Sequence, residues 1–209
     1  MKNEKVLELI AEGQEKERPI LFSAPMVRAI IDKKKTQTRR IVKDTPLEWL
    51  APDMFTPEFV ASPENNLCPY GKVGDILWVR ETWWKRPFLT RKDLKDGADT
   101  WPEYEYETEK IMAWDETELK HYGWKRMPSI FMPKEACRIR LRIESIRIER
   151  LHDITEEDAA NEGVSIDTFL DLTAKDNFKA LWDKINGNWD SNPFVWVITF
   201  YRTVARGGN

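Results

Sequence analysis

The chain reads as a mixed α+β protein whose strands form a small mixed β-barrel flanked by helices. Three observations carry that reading. Strand-like and helix-like periodicities are interleaved from residue 19 to residue 203. The run 137–150 (CRIRLRIESIRIER) holds an apolar alternation at Ile139, Leu141 and Ile143, then slips phase to Ile146 and Ile148. That slip marks a bulge near Glu144 and Ser145, the device by which sheets curve into barrels. Two further runs, 76–83 and 194–201, are rich in β-branched and aromatic residues; a turn over 70–75 leads into the first.

The elements follow in order. Residues 1–18 are a charged arm with one apolar stripe (Val6, Leu7, Leu9, Ile10), either a docking helix or a mobile segment. Residues 19–22 are a first strand. Ser23 stands at an N-cap position with Pro25 in the first turn, so a helix is expected over 24–34 with Met26, Ile30 and Ile31 inward. Lys33, Lys34 and Lys35 suit its negative end. Residues 36–42 alternate like a strand, and 43–73 are a long connection rich in Pro, Asp and Asn. Residues 85–130 form an acidic-aromatic insertion (Trp101, Tyr104, Tyr106, Trp114, Tyr122, Trp124), read as a lid beside the core. A short helix is expected in 151–164, with Thr155 and Asp158 as a capping box and Gly163 as its stop. A longer helix over 166–186 turns Phe169, Leu170, Phe178, Leu181, Trp182 and Ile185 inward and ends at Gly187. The organisation is thus an arm (1–18), one domain (19–203) and a tail (204–209).

Composition limits the function classes. Thirty-three Lys and Arg against 36 Asp and Glu give a net charge of −3, so any nucleic-acid contact must come from a local basic patch. Two cysteines (Cys68, Cys137) and two isolated histidines (His121, His152) offer no metal-binding spacing, and no cofactor motif occurs. No stretch approaches a membrane span, which points to a reducing cytoplasm with free cysteines; a disulfide between the two is the alternative.

Several residues stand out as candidates, each with a structural alternative. Lys33, Lys34, Lys35, Arg39 and Arg40 are a dense basic run, suited to phosphate contact or simply to a solvated face. Arg138, Arg140 and Arg142 either extend it or pair with carboxylates. Ser23 either meets an anion at the helix start or only caps it. Arg80, Glu81 and Trp83 form either a cleft wall, with Trp83 stacking on a base, or a structural ion pair. Trp189 either stacks on a ligand or covers the core.

At residues 30–40 (IIDKKKTQTRR) the chain resembles the ASCH family of the PUA-like superfamily. The family segment is a helix ending in Gly-x-Lys-Thr-x-x-x-Arg, and here Lys33 stands where glycine is usual. Val73, Gly74, Asp75, Ile76 and Leu77 resemble the family's strand entry; residues 153–163 resemble its T-E-E-x-A-x-x-E-G helix; residues 195–200 resemble its closing strand. The wording FSAPMVRAI, CPYGKVGDILWVRETW, PSIFMPKEACRIRL and NPFVWVITF resembles the long phage and prophage type, and the match covers most of 19–203. The resemblance implies a PUA-like barrel that binds RNA or a modified nucleotide or nucleobase in a cleft lined by Lys35, Thr38 and Glu162. The family also holds an amidohydrolase acting on acetylated cytidine, and nucleases. In that branch Thr38 would be nucleophile, Lys35 its base, and Glu162 an acid or orienting group. No cofactor is implied. A third possibility is a phage interaction or morphogenesis factor whose insertion and arm meet a protein partner.

Overall fold

The computed structural model describes residues 15–50, 54–95, 97–98, 101–108, 114–164 and 172–203. The arm's apolar stripe, Phe169, Leu170 and the tail lie outside the described residues. The described chain is mixed α+β, with eight strands and seven α-helices. In order these are β1 (Glu17–Leu21), α1 (Ala24–Ile31), β2 (Gln37–Ile41), α2 (Asp44–Leu50), α3 (Pro57–Ala61), β3 (Ile76–Arg80) and β4 (Trp83–Lys85). Then come α4 (Arg91–Lys95), β5 (Tyr104–Tyr106), α5 (Glu116–His121), β6 (Lys125–Met127), β7 (Arg140–Arg150), α6 (Glu156–Asn161), α7 (Ala174–Asn186) and β8 (Phe194–Thr203).

The strands make two sheets, ordered β1-β3-β7-β8-β2 and β5-β4-β6. Neither is closed into a barrel among the described residues, which corrects that part of the expectation. Closure requires the two edge strands to pair. Here β1 and β2 are short edges of five residues each. Beside the start of β2, Thr36 N instead donates to Asn161 O (2.8 Å), and Lys35 makes an isolated antiparallel bridge with Glu162.

The chain divides into two compact units: Met1–Arg18, Ala29–Leu77 and Ile139–Asn209 form the first, and Pro19–Arg28 with Trp78–Arg138 the second. In the first, β7 and β8 pair antiparallel with a register shift between Ile143 and Ser145, where the apolar phase slips in the sequence. One extra residue carries Ile143 and Ile148 to buried positions across the break. The core of this unit gathers Leu151, Ile154, Phe178, Trp182, Val195 and Val197 under α6 and α7. Helix α7 is closed at both ends, by a capping box between Thr173 and Asp176 and by Gly187 at φ +65°. Ile185, expected inward, is exposed.

The second unit has its own small cores. One packs Trp83, Tyr106, Met132 and Ala136, and the other Trp84, Leu119 and Trp124. The stretch expected as an insertion supplies β5, β6 and part of each cluster, while Trp83, Trp84, Met132 and Ala136 come from the chain on either side of it.

Candidate functional site

Strand β2 organises the site because its alternating side chains serve two different environments. Cross-strand partners share a face: Gln37 lies opposite Thr199, Arg39 opposite Val197 and Ile41 opposite Val195. Thr38 lies opposite Ile198 and Arg40 opposite Trp196, so these two take the other face. On β7, Arg147 pairs with Val197 and Glu149 with Val195, which adds both to the Gln37–Arg39 face.

That first face holds a buried ionic network. Lys35 and Glu162 are 2 % and 5 % exposed. Lys35 Nζ donates to Glu162 Oε2 (2.6 Å), Glu162 O (2.9 Å) and Gln37 O (2.8 Å). Three acceptors around one nitrogen match the three protons of an ammonium; a neutral amine would leave one acceptor unmet. Arg39 reaches three carboxylates, with NH2 to Glu149 Oε1 (2.5 Å) and Asp158 Oδ2 (2.9 Å) and NH1 to Glu162 Oε1 (3.4 Å). Arg147 bonds Glu149 (2.9 Å) and both oxygens of Asp158 (3.2 Å), and Gln37 Nε2 donates to Asp158 Oδ1 (3.0 Å). Lys35, Arg39 and Arg147 thus face Glu149, Asp158 and Glu162, a balanced set of charges. Such matching is what allows charges to leave water.

Burial alone would push the Lys35 ammonium toward neutrality. Glu162 opposes this, while Arg40 and Arg39 add to it, and the result is a lowered pKa. Asp158 moves down: burial pushes it up, but the Gln37 hydrogen bond with Arg39 and Arg147 outweighs it.

Local geometry explains how Lys35 and Glu162 meet. Lys34 N and Lys35 N both donate to Ala29 O (2.8 and 3.0 Å), which folds the chain back under the end of α1. Lys33 makes that reversal at φ +60°, the left-handed region, at the position where the family segment has glycine. Gly163 sits at φ +85°, and a Cβ there would lie 2.8 Å from Ala29 Cβ and 2.9 Å from Lys35 Cβ. Thr155 caps α6 through its hydroxyl, which accepts from Asp158 N (3.1 Å). The Asp158 carboxylate, expected to complete a capping box, serves the ionic network instead.

Thr38 does not join this network. It is 1 % exposed, and its Oγ1 is buried without a hydrogen-bond partner among the described residues. The arrangement therefore holds no Thr38–Lys35 hydrogen bond, and the nitrogen expected as the base has its protons directed elsewhere. Arg40 is half-buried beside Thr38's strand face and donates to Arg39 O (3.3 Å). Burial works against its charge, and Tyr70 and Glu162 offset part of that. The Tyr70 phenol is itself pushed up by burial, with Arg40 pulling the other way.

Ile146 lies opposite Ile198 on this second face and also lines a cavity of about 60 Å³ with Asn66, Cys68, Gly71 and Lys72. A dry cavity that holds benzene measures about 150 Å³, so this one is too small for a nucleobase as it stands. Burial pushes the Cys68 thiol up to about 11, which makes it a packing group rather than a nucleophile. Cys68 and Cys137 form no disulfide.

The remaining candidates have other duties. Lys33 and Lys34 point to solvent while Lys35 and Arg39 are buried, so the basic run is not one continuous patch. Arg140 pairs with Glu17 (3.1 Å) and Arg142 with Glu15 (2.9 Å). Trp189 is buried in the core against His152 and Phe178, with ring centroids at 4.8 and 6.3 Å. In the second unit, Ser23 O accepts the first helical bond from Val27 N (2.9 Å). Arg80 donates to Met132 O (3.2 Å) and Ile130 O. Glu81 is buried against Arg138 (2.9 and 3.0 Å) and Thr108 (2.8 Å). Trp83 is 2 % exposed and inside an apolar cluster, so its face is not open for stacking.

Arg147 and Glu149 lie outside every segment that carries the resemblance, and Gln37, Tyr70 and Asp158 lie within such segments without a site role expected of them. The alternation of Arg147 and Glu149 on one strand face was the available signal. Among the described residues no group of acidic, Cys or His side chains could hold a metal ion, and no helix is long and apolar enough to cross a membrane. No family model, curated protein or solved structure matches this chain.

Proposed function

We propose that the first unit is an ASCH-type binding module for RNA or a modified nucleotide or nucleobase. Its ligand face is the Thr38–Arg40 side of β2, and the Lys35–Glu162–Arg39 network is the frame behind it. The observation that carries this reading is the Thr38 hydroxyl, buried and without a partner. Leaving such a group dry costs about 1–3 kcal/mol, which a ligand's polar edge would offset. Arg40, two residues along on the same face, supplies a guanidinium suited to phosphate or to a base edge. The resemblance of residues 30–40 and 153–163 to the family adds to this, but it assigns lysine and glutamate a chemical task. The commitment of Lys35 Nζ to three acceptors favours a supporting task here.

Calorimetric titration with nucleoside monophosphates and short single-stranded RNA tests the reading. Saturable binding weakened about tenfold by Arg40→Gln, with RNA affinity falling as salt rises, is expected. No heat with any of these ligands, or hydrolysis of an acylated nucleoside by the wild-type chain, would overturn a module that only binds.

A further inference from the structure

The segment from α2 to α3 in the first unit displays an apolar surface. Its inward side is already satisfied, since Pro46, Leu50 and Val60 are buried. Its outward side carries Leu47 (40 % exposed), Met54 (64 %) and Phe59 (45 %). With the half-buried rings of Trp49 and Phe55, on which Phe59 packs, they make up the apolar plateau of this segment. Ring centroids are 4.9 Å apart for Trp49–Phe55 and 4.8 Å for Phe55–Phe59, the latter pair stacked at 16°.

This exposure is held in place. Thr56 caps α3 by accepting from Phe59 N (3.3 Å), Pro57 opens the helix, Ser62 N closes it on Phe59 O (3.1 Å), and Asn65 Nδ2 donates to Phe59 O (2.6 Å). Phe59 therefore sits outward on a backbone fixed from both ends. A fixed group of exposed apolar side chains of this kind marks an interaction surface.

Charge selects the occupant. Asp44, Glu48, Glu58 and Glu64 are exposed on the same segment as the plateau, against Lys43 alone among the described residues of 43–66. A phosphate backbone is repelled there. The chain's own residues 1–14 carry two lysines and three glutamates and gain nothing from this field. We propose that the plateau of Leu47, Trp49, Met54, Phe55 and Phe59 is a docking surface for a protein partner presenting a cationic amphipathic helix. Apolar anchors of that helix would cover the rings, and flanking Lys and Arg would meet the four carboxylates.

The test uses the full chain and a fluorescein-labelled synthetic helix of leucine and lysine at helical spacing, with a glutamate-for-lysine version as control. Fluorescence anisotropy should give saturable binding of the lysine helix, at least about tenfold tighter than the glutamate helix and weakened by salt. Met54→Ser with Phe59→Ser should abolish it. Glu48→Lys with Glu58→Lys should reverse the preference, which keeps the outcome readable if the serine variant folds poorly. Equal binding of the two helices, no binding, or a self-associated chain that becomes monomeric in the serine variant would overturn the proposal.

Discussion

Lys35 and Glu162 are joined twice, since Lys35 Nζ lies 2.6 Å from the Glu162 carboxylate and 2.9 Å from the same residue's carbonyl oxygen. The end of α1 and the end of α6 are thereby fixed to each other across 127 residues of chain. Breaking a buried pair from one side strands the other charge. Glu162→Gln is expected to cost about 3–5 kcal/mol in urea unfolding, and Lys35→Met a similar amount. The double variant should lose clearly less than the sum of the two, because both charges leave together.

Gly163 fixes how closely that joint can pack. Gly163→Ala forces a Cβ to within 2.9 Å of Lys35 Cβ and 2.8 Å of Ala29 Cβ, at a φ of +85°. Left-handed strain of about 1–2 kcal/mol and overpacking of about 1–3 kcal/mol add, so a fall in Tm of about 4–20 °C is expected. An unchanged melting curve would mean that the chain does not pass this close.

The left-handed Lys33 gives the opposite sign. Lys33→Gly relieves strain at φ +60° and loses part of the gain to unfolded-state entropy. A net stabilisation of about 0.5–1 kcal/mol by chemical denaturation is expected.

Asp158 governs an acid limb. Its folded pKa lies below the ordinary 3.8, so its contribution is complete above that value and is lost as pH falls through the lower, folded pKa. Urea midpoints measured from neutral pH down past 3.8 should fall less steeply for Asp158→Asn than for wild type.

Much of this fold was legible and the failures have physical causes. The bulge at Glu144 could be read because a one-residue insertion inverts the apolar phase, and period-2 patterns record phase directly. The Gly187 stop and the strands around residues 76–80 and 194–203 follow from equally local rules. Barrel closure could not be read, because pairing of two short edges depends on curvature rather than on any residue pattern. The candidate site divided along the same line. The resemblance to the family brought Lys35 and Glu162 together. The alternation of β2 also sends Thr38 to the opposite face from Arg39, as the strand-like alternation of residues 36–42 already implies. The partners Glu149 and Arg147 come from β7, which no local motif links to β2.

The most direct test of the ligand face is Thr38→Val, read for stability and for affinity on the same preparation. The hydroxyl has no hydrogen-bond partner among the described residues, so stability should hold or rise by about 1 kcal/mol while affinity for the nucleotide or RNA ligand falls about tenfold. A variant that loses stability, or that binds as wild type does, would contradict the assignment of the Thr38–Arg40 face.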